Sequence, residues 1–193
     1  MVRWTRSLPP YPIIAETAAA GIQLLFDHLV EDPHVRPRTL FGTRVNTYVA
    51  EQFRLSLPAG TRVTVQPRPH VLVGSAPRTA NFAVTDAQVE QITNAWSFNL
   101  SDVDLVSTQI QAWAGHMGRL RRRGGVLEAK GHPPLVIPGD VQLRVVYEEP
   151  HTDAGRAALS IAHDIWSDVD SLVAYPESQR DRLVSDALAV VAA

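Results

Sequence analysis

The stretch GGVLEAKGHPP, residues 124 to 134, holds the only lysine of a 193-residue chain whose other basic side chains are all arginine. On a β-strand, residues two apart project from the same face. A strand here would therefore present Glu128 and Lys130 side by side. The carboxylate could hold a divalent metal while the ammonium steadies an attacking water or the charge developing on a phosphate. The simpler alternative is a solvated strand face, with Leu127 and Ala129 turned to the core and Glu128 and Lys130 pairing across a sheet with Arg144.

Glu128-x-Lys130 resembles the E-x-K half of the PD-(D/E)xK nuclease superfamily, and that resemblance implies metal-dependent cleavage of nucleic acid. The family pattern also asks for an acidic residue on the preceding strand. Here the preceding segment reads as a helix from Asp102 to Arg123, whose acids Asp102 and Asp104 lie roughly 30 Å along the axis from its end. Only Glu148 on a neighbouring strand, or Glu16 on the first helix, would be left to supply the second carboxylate.

Arg119, Arg121, Arg122 and Arg123 form the one basic cluster. It could grip a phosphate backbone, but no aromatic residue is interleaved to stack on bases. Cations in the last turn of a helix also have a structural use, because they offset the negative end of its dipole. Nucleic acid is therefore not the favoured partner. His151-Thr152-Asp153, after Glu148-Glu149, is the densest grouping of nitrogen and oxygen ligands. Its spacing matches no known metal pattern, and the same residues make an ordinary helix N-cap with acid in the first turn. His163, Asp164 and Asp168 read as a solvated helix face. H-E-x-x-H, G-x-S-x-G, the Walker A loop and G-x-G-x-x-G are all missing from the sequence. The expectation is accordingly no metal and no cofactor.

The elements that would carry these residues can be read from periodicity. Ile14, Ala18, Ile22, Leu25 and Leu29 make a helical stripe ending before Pro33. Val45, Thr47 and Val49 alternate like a strand, although Glu51 and Phe53 would also suit a helix. Phe53, Leu55 and Leu57 alternate as well, and the later half of this segment is read as a strand that turns at Pro58-Ala59-Gly60 into Val63 and Val65. His70–Val73 is a short strand. Thr85-x-x-Gln88, flanked by Val84 and Val89, has the form of a capping box with its hydrophobic staple, and Ser101-x-x-Asp104 repeats it. Both predict helices. The second carries the seam Val103, Val106, Ile110, Trp113, Met117, Leu120 until Gly124-Gly125. Strands follow at 126–130, 135–137 and 141–148. Two helices then close the chain, at about 153–173 and from Pro176.

With 45% hydrophobic and 20% charged residues and a net charge of -2, the composition is that of a globular protein with no global field for an anionic partner. No apolar run reaches membrane-spanning length. The chain has no cysteine, which fits a reducing compartment, so the cytoplasm is expected, or a virion or other assembly formed there.

The resulting expectation is an extended arm over residues 1–12 and one α+β domain over 13–193. That domain would have an antiparallel or mixed sheet packed against about five helices in a single pair of layers. Its function would be that of a non-catalytic protein-binding or self-associating subunit of an oligomeric assembly, bacterial or viral, using the arm and a helix face. Trp4, Tyr11, Trp113 and Trp166 would be its contact residues. A nuclease using Glu128 and Lys130 is the alternative, and a small-molecule pocket between sheet and helices is a third reading.

Overall fold

Phe41, Val45, Val49 and Phe53 recur every four residues, and in the computed structural model they form the buried stripe of a helix, α1 (Phe41–Ser56). The model describes residues 41–57, 62–100, 103–129 and 131–191. The arm, the stripe from Ile14 to Leu29, the Pro58-Ala59-Gly60 turn, Ser101, Asp102 and Lys130 lie outside the described residues.

A five-stranded sheet runs in the order β1 (Thr64–Pro67), β4 (Phe82–Thr85), β5 (Val89–Ser97), β8 (Gln142–Glu148), β9 (Leu172–Pro176). Strand β4 is antiparallel to both β1 and β5, whereas β5, β8 and β9 run parallel. Parallel neighbours need crossovers, and these are supplied by the segment containing α2 (Val103–Arg123) and by α3 (Asp153–Ser167). On one face of the sheet Ala83, Ile92, Leu143 and Val145 join the core formed with α2 and α3. On the other, Phe82, Val84, Val146 and Tyr175 pack against α1 and α4 (Asp181–Val191).

The sheet is thus covered on both faces, which corrects the expected single pair of layers with helices on one side. The described residues hold four α-helices and a 3-10 turn at Glu177–Gln179. The α+β class holds. None of the described helices is long and apolar enough to cross a membrane.

A second, four-stranded antiparallel sheet has the order β3 (Ala76–Thr79), β2 (His70–Val73), β6 (Gly125–Glu128), β7 (Leu135–Ile137). Gly74, at φ 65, opens the two-residue turn between β2 and β3. The inward residues Val71, Val73, Leu127 and Ile137 share a core with Trp113, Met117 and Leu120 of α2. Gly125 permits that approach. A Cβ added there would stand 2.5 Å from the Leu72 carbonyl oxygen and 2.7 Å from a Leu120 methyl.

Three boundaries differ from the sequence reading. The segment around residues 45–57 is helical. Thr85-x-x-Gln88 caps no helix, because residues 86–88 form the turn between β4 and β5, and the Thr85 hydroxyl lies 2.8 Å from that of Thr64 on β1. The penultimate helix stops at Ser167, and the segment that continues it is strand β9. All described residues belong to one compact unit spanning residues 40–193.

Candidate functional site

Parallel pairing of β5 with β8 sets Ser97 directly opposite Glu148 at the carboxyl ends of the two strands. The Ser97 hydroxyl donates to one Glu148 oxygen, and Arg44 Nη2 donates to the other at 3.0 Å. Arg44 stands in the first turn of α1, and the same nitrogen lies 3.4 Å from Glu177, which follows β9. Three parallel strands and one helix therefore meet in a single ionic node.

Tyr48, one helical turn after Arg44, donates its hydroxyl to Asp181 and carries the Arg180 guanidinium over its ring at 4.1 Å. Hydrogen bonding to the Asp181 carboxylate raises the Tyr48 pKa. Burial pushes the Glu148 carboxyl up, but hydrogen bonds from Ser97 and Arg44 outweigh it and hold the group below its usual value.

Beside this node opens a cleft of about 430 Å³ lined by Glu148, Glu149, His151, Glu177, Ser178, Arg180 and Asp181. The carboxyl ends of parallel strands are where open α/β sheets bind ligands. Its wall holds four carboxylates and one guanidinium, and because Glu148 and Glu177 also share Arg44 the excess of negative charge is modest. Among the described residues no group of three or more His, Asp or Glu is arranged to hold a metal ion.

The second surface of note is the outer face of the four-stranded sheet. The register sets Pro77 opposite Leu72, Leu72 opposite Val126 and Val126 opposite Val136, a row across all four strands. Alternation turns this row away from the core, and Val126 is 38% and Val136 66% exposed. The neighbouring row on the same face sets Thr79 opposite His70 and His70 opposite Glu128.

Glu128 is exposed and sits in that polar row, with an imidazole and no carboxylate as its cross-strand neighbour. Its expected companion Arg144 belongs to the other sheet, where Nε donates to Asp186 at 2.6 Å. Glu148, the substitute second acid, is taken up by Arg44 and Ser97. Among the described residues neither Glu148 nor the cross-strand neighbour supplies Glu128 with a second carboxylate, and Lys130 lies outside them.

Trp113 and Trp166 are 3% and 2% exposed. This corrects their assignment as surface contacts, since both are core residues of α2 and α3. Trp166 stacks on Tyr147 with centroids 5.9 Å apart and meets Phe98 edge-on at 6.3 Å. Trp4 and Tyr11 lie outside the described residues.

The four arginines of the basic cluster divide in two. Arg119, Arg122 and Arg123 are exposed. Arg121 turns inward and donates to the backbone carbonyls of Asp170, Gly139 and Val141 at 2.9, 2.9 and 2.6 Å. It ties the end of α2 to the β7–β8 turn and to the loop before β9. Thr152 is an N-cap, as its position suggests, accepting from Gly155 N at 3.1 Å.

Sequence reasoning named Glu148 and His151 but not Arg44, Tyr48, Ser97 or Glu177. Only Glu148 ended a segment legible as a strand, whereas Ser97 and Glu177 end or follow strands whose sequence reads as helix. No family model, curated protein or solved structure matches the chain.

Proposed function

We propose that this chain is a non-catalytic, self-associating protein that docks through the outer face of its four-stranded sheet. The observation that supports this reading is the apolar row Pro77, Leu72, Val126, Val136, which crosses every strand and leaves valines open to solvent. Rows of this kind bury themselves against a complementary surface. A two-fold related copy supplies one, because an isologous interface pairs a patch with itself. The flanking His70 and Glu128 would then meet each other's counterparts across the interface. The arm with Trp4 and Tyr11 would add to the contact.

Size-exclusion chromatography with light scattering tests the reading. The wild type is expected to run as a dimer or larger. A Val126→Glu, Val136→Glu variant is expected to run as a folded monomer, with its far-UV circular dichroism unchanged. A wild type that is monomeric at every concentration refutes it.

A second reading rests on the cleft beside Glu148. Its acid-rich wall at the ends of three parallel strands suits a ligand bearing an amine or guanidinium. Titration with agmatine, followed through the backbone amide resonances of Ser97, Glu149 and Ser178, checks this. Saturable shifts lost in Glu149→Gln support it, and unchanged resonances exclude that ligand class.

A further inference from the structure

His116 is the one buried histidine among the described residues, with no exposed surface at the middle of α2. Its Nε2 donates to the Val71 carbonyl oxygen at 3.0 Å, so the ring bridges α2 to β2, an inner strand of the four-stranded sheet. With the proton on Nε2, Nδ1 presents a lone pair, and Arg119 Nη2 points at it from 3.5 Å. The ring is therefore neutral and held in one tautomer from both sides.

The charged groups that act on it are Arg119 from its own helix and Arg78 from β3, and both are cations. Arg78 stands opposite Val71 in the sheet register, on the inner side of the edge strand. Among the described residues no carboxylate acts on the ring. A second proton on Nδ1 would thus set N–H against guanidinium N–H and place a third positive charge in the same seam. A buried charge without a partner costs far more than one helix-to-sheet hydrogen bond returns.

We infer that the seam between α2 and the four-stranded sheet is an acid-sensitive joint, in which protonation of His116 separates β2 from the helix. The ring's hydrogen bond runs to β2 and not to the five-stranded sheet, so the opening is expected in β3, β2, β6 and β7. Burial is the main cause that lowers the His116 pKa, and Arg119 and Arg78 add to it against the opposing Val71 hydrogen bond. The neutral form is the one the fold favours. Stability of the seam is therefore complete above the ordinary histidine range and falls as pH drops below it toward the depressed folded value. Each further pH unit raises the open population about tenfold for a one-proton event.

Hydrogen–deuterium exchange, corrected for the intrinsic pH dependence of amide exchange, reads the opening strand by strand. From about pH 7.5 to about pH 5 the protection of amides in His70–Val73 and Gly125–Glu128 is expected to fall by about tenfold or more while that of Ile92–Asn94 is constant. His116→Gln keeps a donor near the Val71 carbonyl but cannot take the proton, and its protection should be independent of pH in this range. Arg119→Gln removes one opposing cation, so the closed seam tolerates the second proton better and the acid loss of β2 protection should shrink. Should His116→Gln fail to fold, NMR titration of the His116 ring in the wild type decides the matter. Ring protonation that coincides with loss of β2 protection supports the joint. A ring that protonates with β2 protection unchanged, or an equal fall in both sheets, overturns it.

Discussion

Arg44 and Glu148 are 104 residues apart in sequence and 3.0 Å apart in space, and their ion pair fastens the start of α1 to the carboxyl end of β8. The same guanidinium reaches Glu177, so removing it leaves two partly buried carboxylates without their shared cation. Arg44→Ala is expected to destabilise the protein by about 1–2 kcal/mol, at the upper end for a part-exposed pair because hydrogen bonds to charged groups are lost with it. Urea denaturation with an unchanged m-value checks this.

Glu148 gives that node a pH dependence. Its carboxyl is held below the ordinary value of 4.5, so its contribution is complete above the unfolded-state pKa and fades as pH falls through the folded one. The stability difference between wild type and Glu148→Gln should therefore be largest near neutrality and shrink below about pH 4. A difference that stays constant into acid would show that the carboxylate charge carries none of it.

Arg121 separates from its neighbours by function as well as by direction. It supplies three hydrogen bonds to backbone carbonyls in a part-buried position, where burial lowers its pKa. Arg121→Ala should cost about 2–4 kcal/mol, since it orphans those carbonyls. Arg122→Ala and Arg123→Ala, on exposed side chains, should stay within about 0.5 kcal/mol. Parallel thermal melts of the three variants distinguish the two kinds of arginine.

Gly125 stands where β6 is pressed between the Leu72 carbonyl of β2 and the Leu120 side chain of α2. A methyl group there meets backbone oxygen at 2.5 Å, which cannot give way as a flexible side chain would. Gly125→Ala is expected to cost about 2 kcal/mol or more, with the loss of exchange protection concentrated in β2 and β6. Equal stability of variant and wild type would refute that close approach.

Thr152 caps α3 through the Gly155 amide. Thr152→Ala should destabilise by about 1 kcal/mol and Thr152→Ser by a few tenths, measured by urea denaturation. Metal affinity should play no part in either.

The fold was legible where one periodicity alone fitted the residues. The seam from Val103 to Leu120 obeys the helical repeat and no other, and the helix formed there has that buried face. Helix α1 was read as strand because a spacing of four is also a multiple of two. Phe41, Val45, Val49 and Phe53 satisfy both patterns, and the tie is broken by the exposed polar Thr47 and Glu51, which a strand would have placed on the same face. Strand β5 failed differently. Covered on both faces, it buries Ile92 toward α2 and α3 and Gln91 and Thr93 toward the other side, so no alternation marks it. The candidate site was illegible for a topological reason. Arg44, Ser97, Glu148 and Glu177 become neighbours only through the parallel register of β5, β8 and β9, which no local window of sequence contains.

The four-stranded sheet is assembled from two separate excursions of the chain, β2 with β3 and β6 with β7, joined only where His70, Val71 and Leu72 meet Glu128, Leu127 and Val126. A lone two-stranded ribbon is marginal in water. Each ribbon therefore completes the other's sheet, and a change that unpairs β2 from β6 is expected to loosen both.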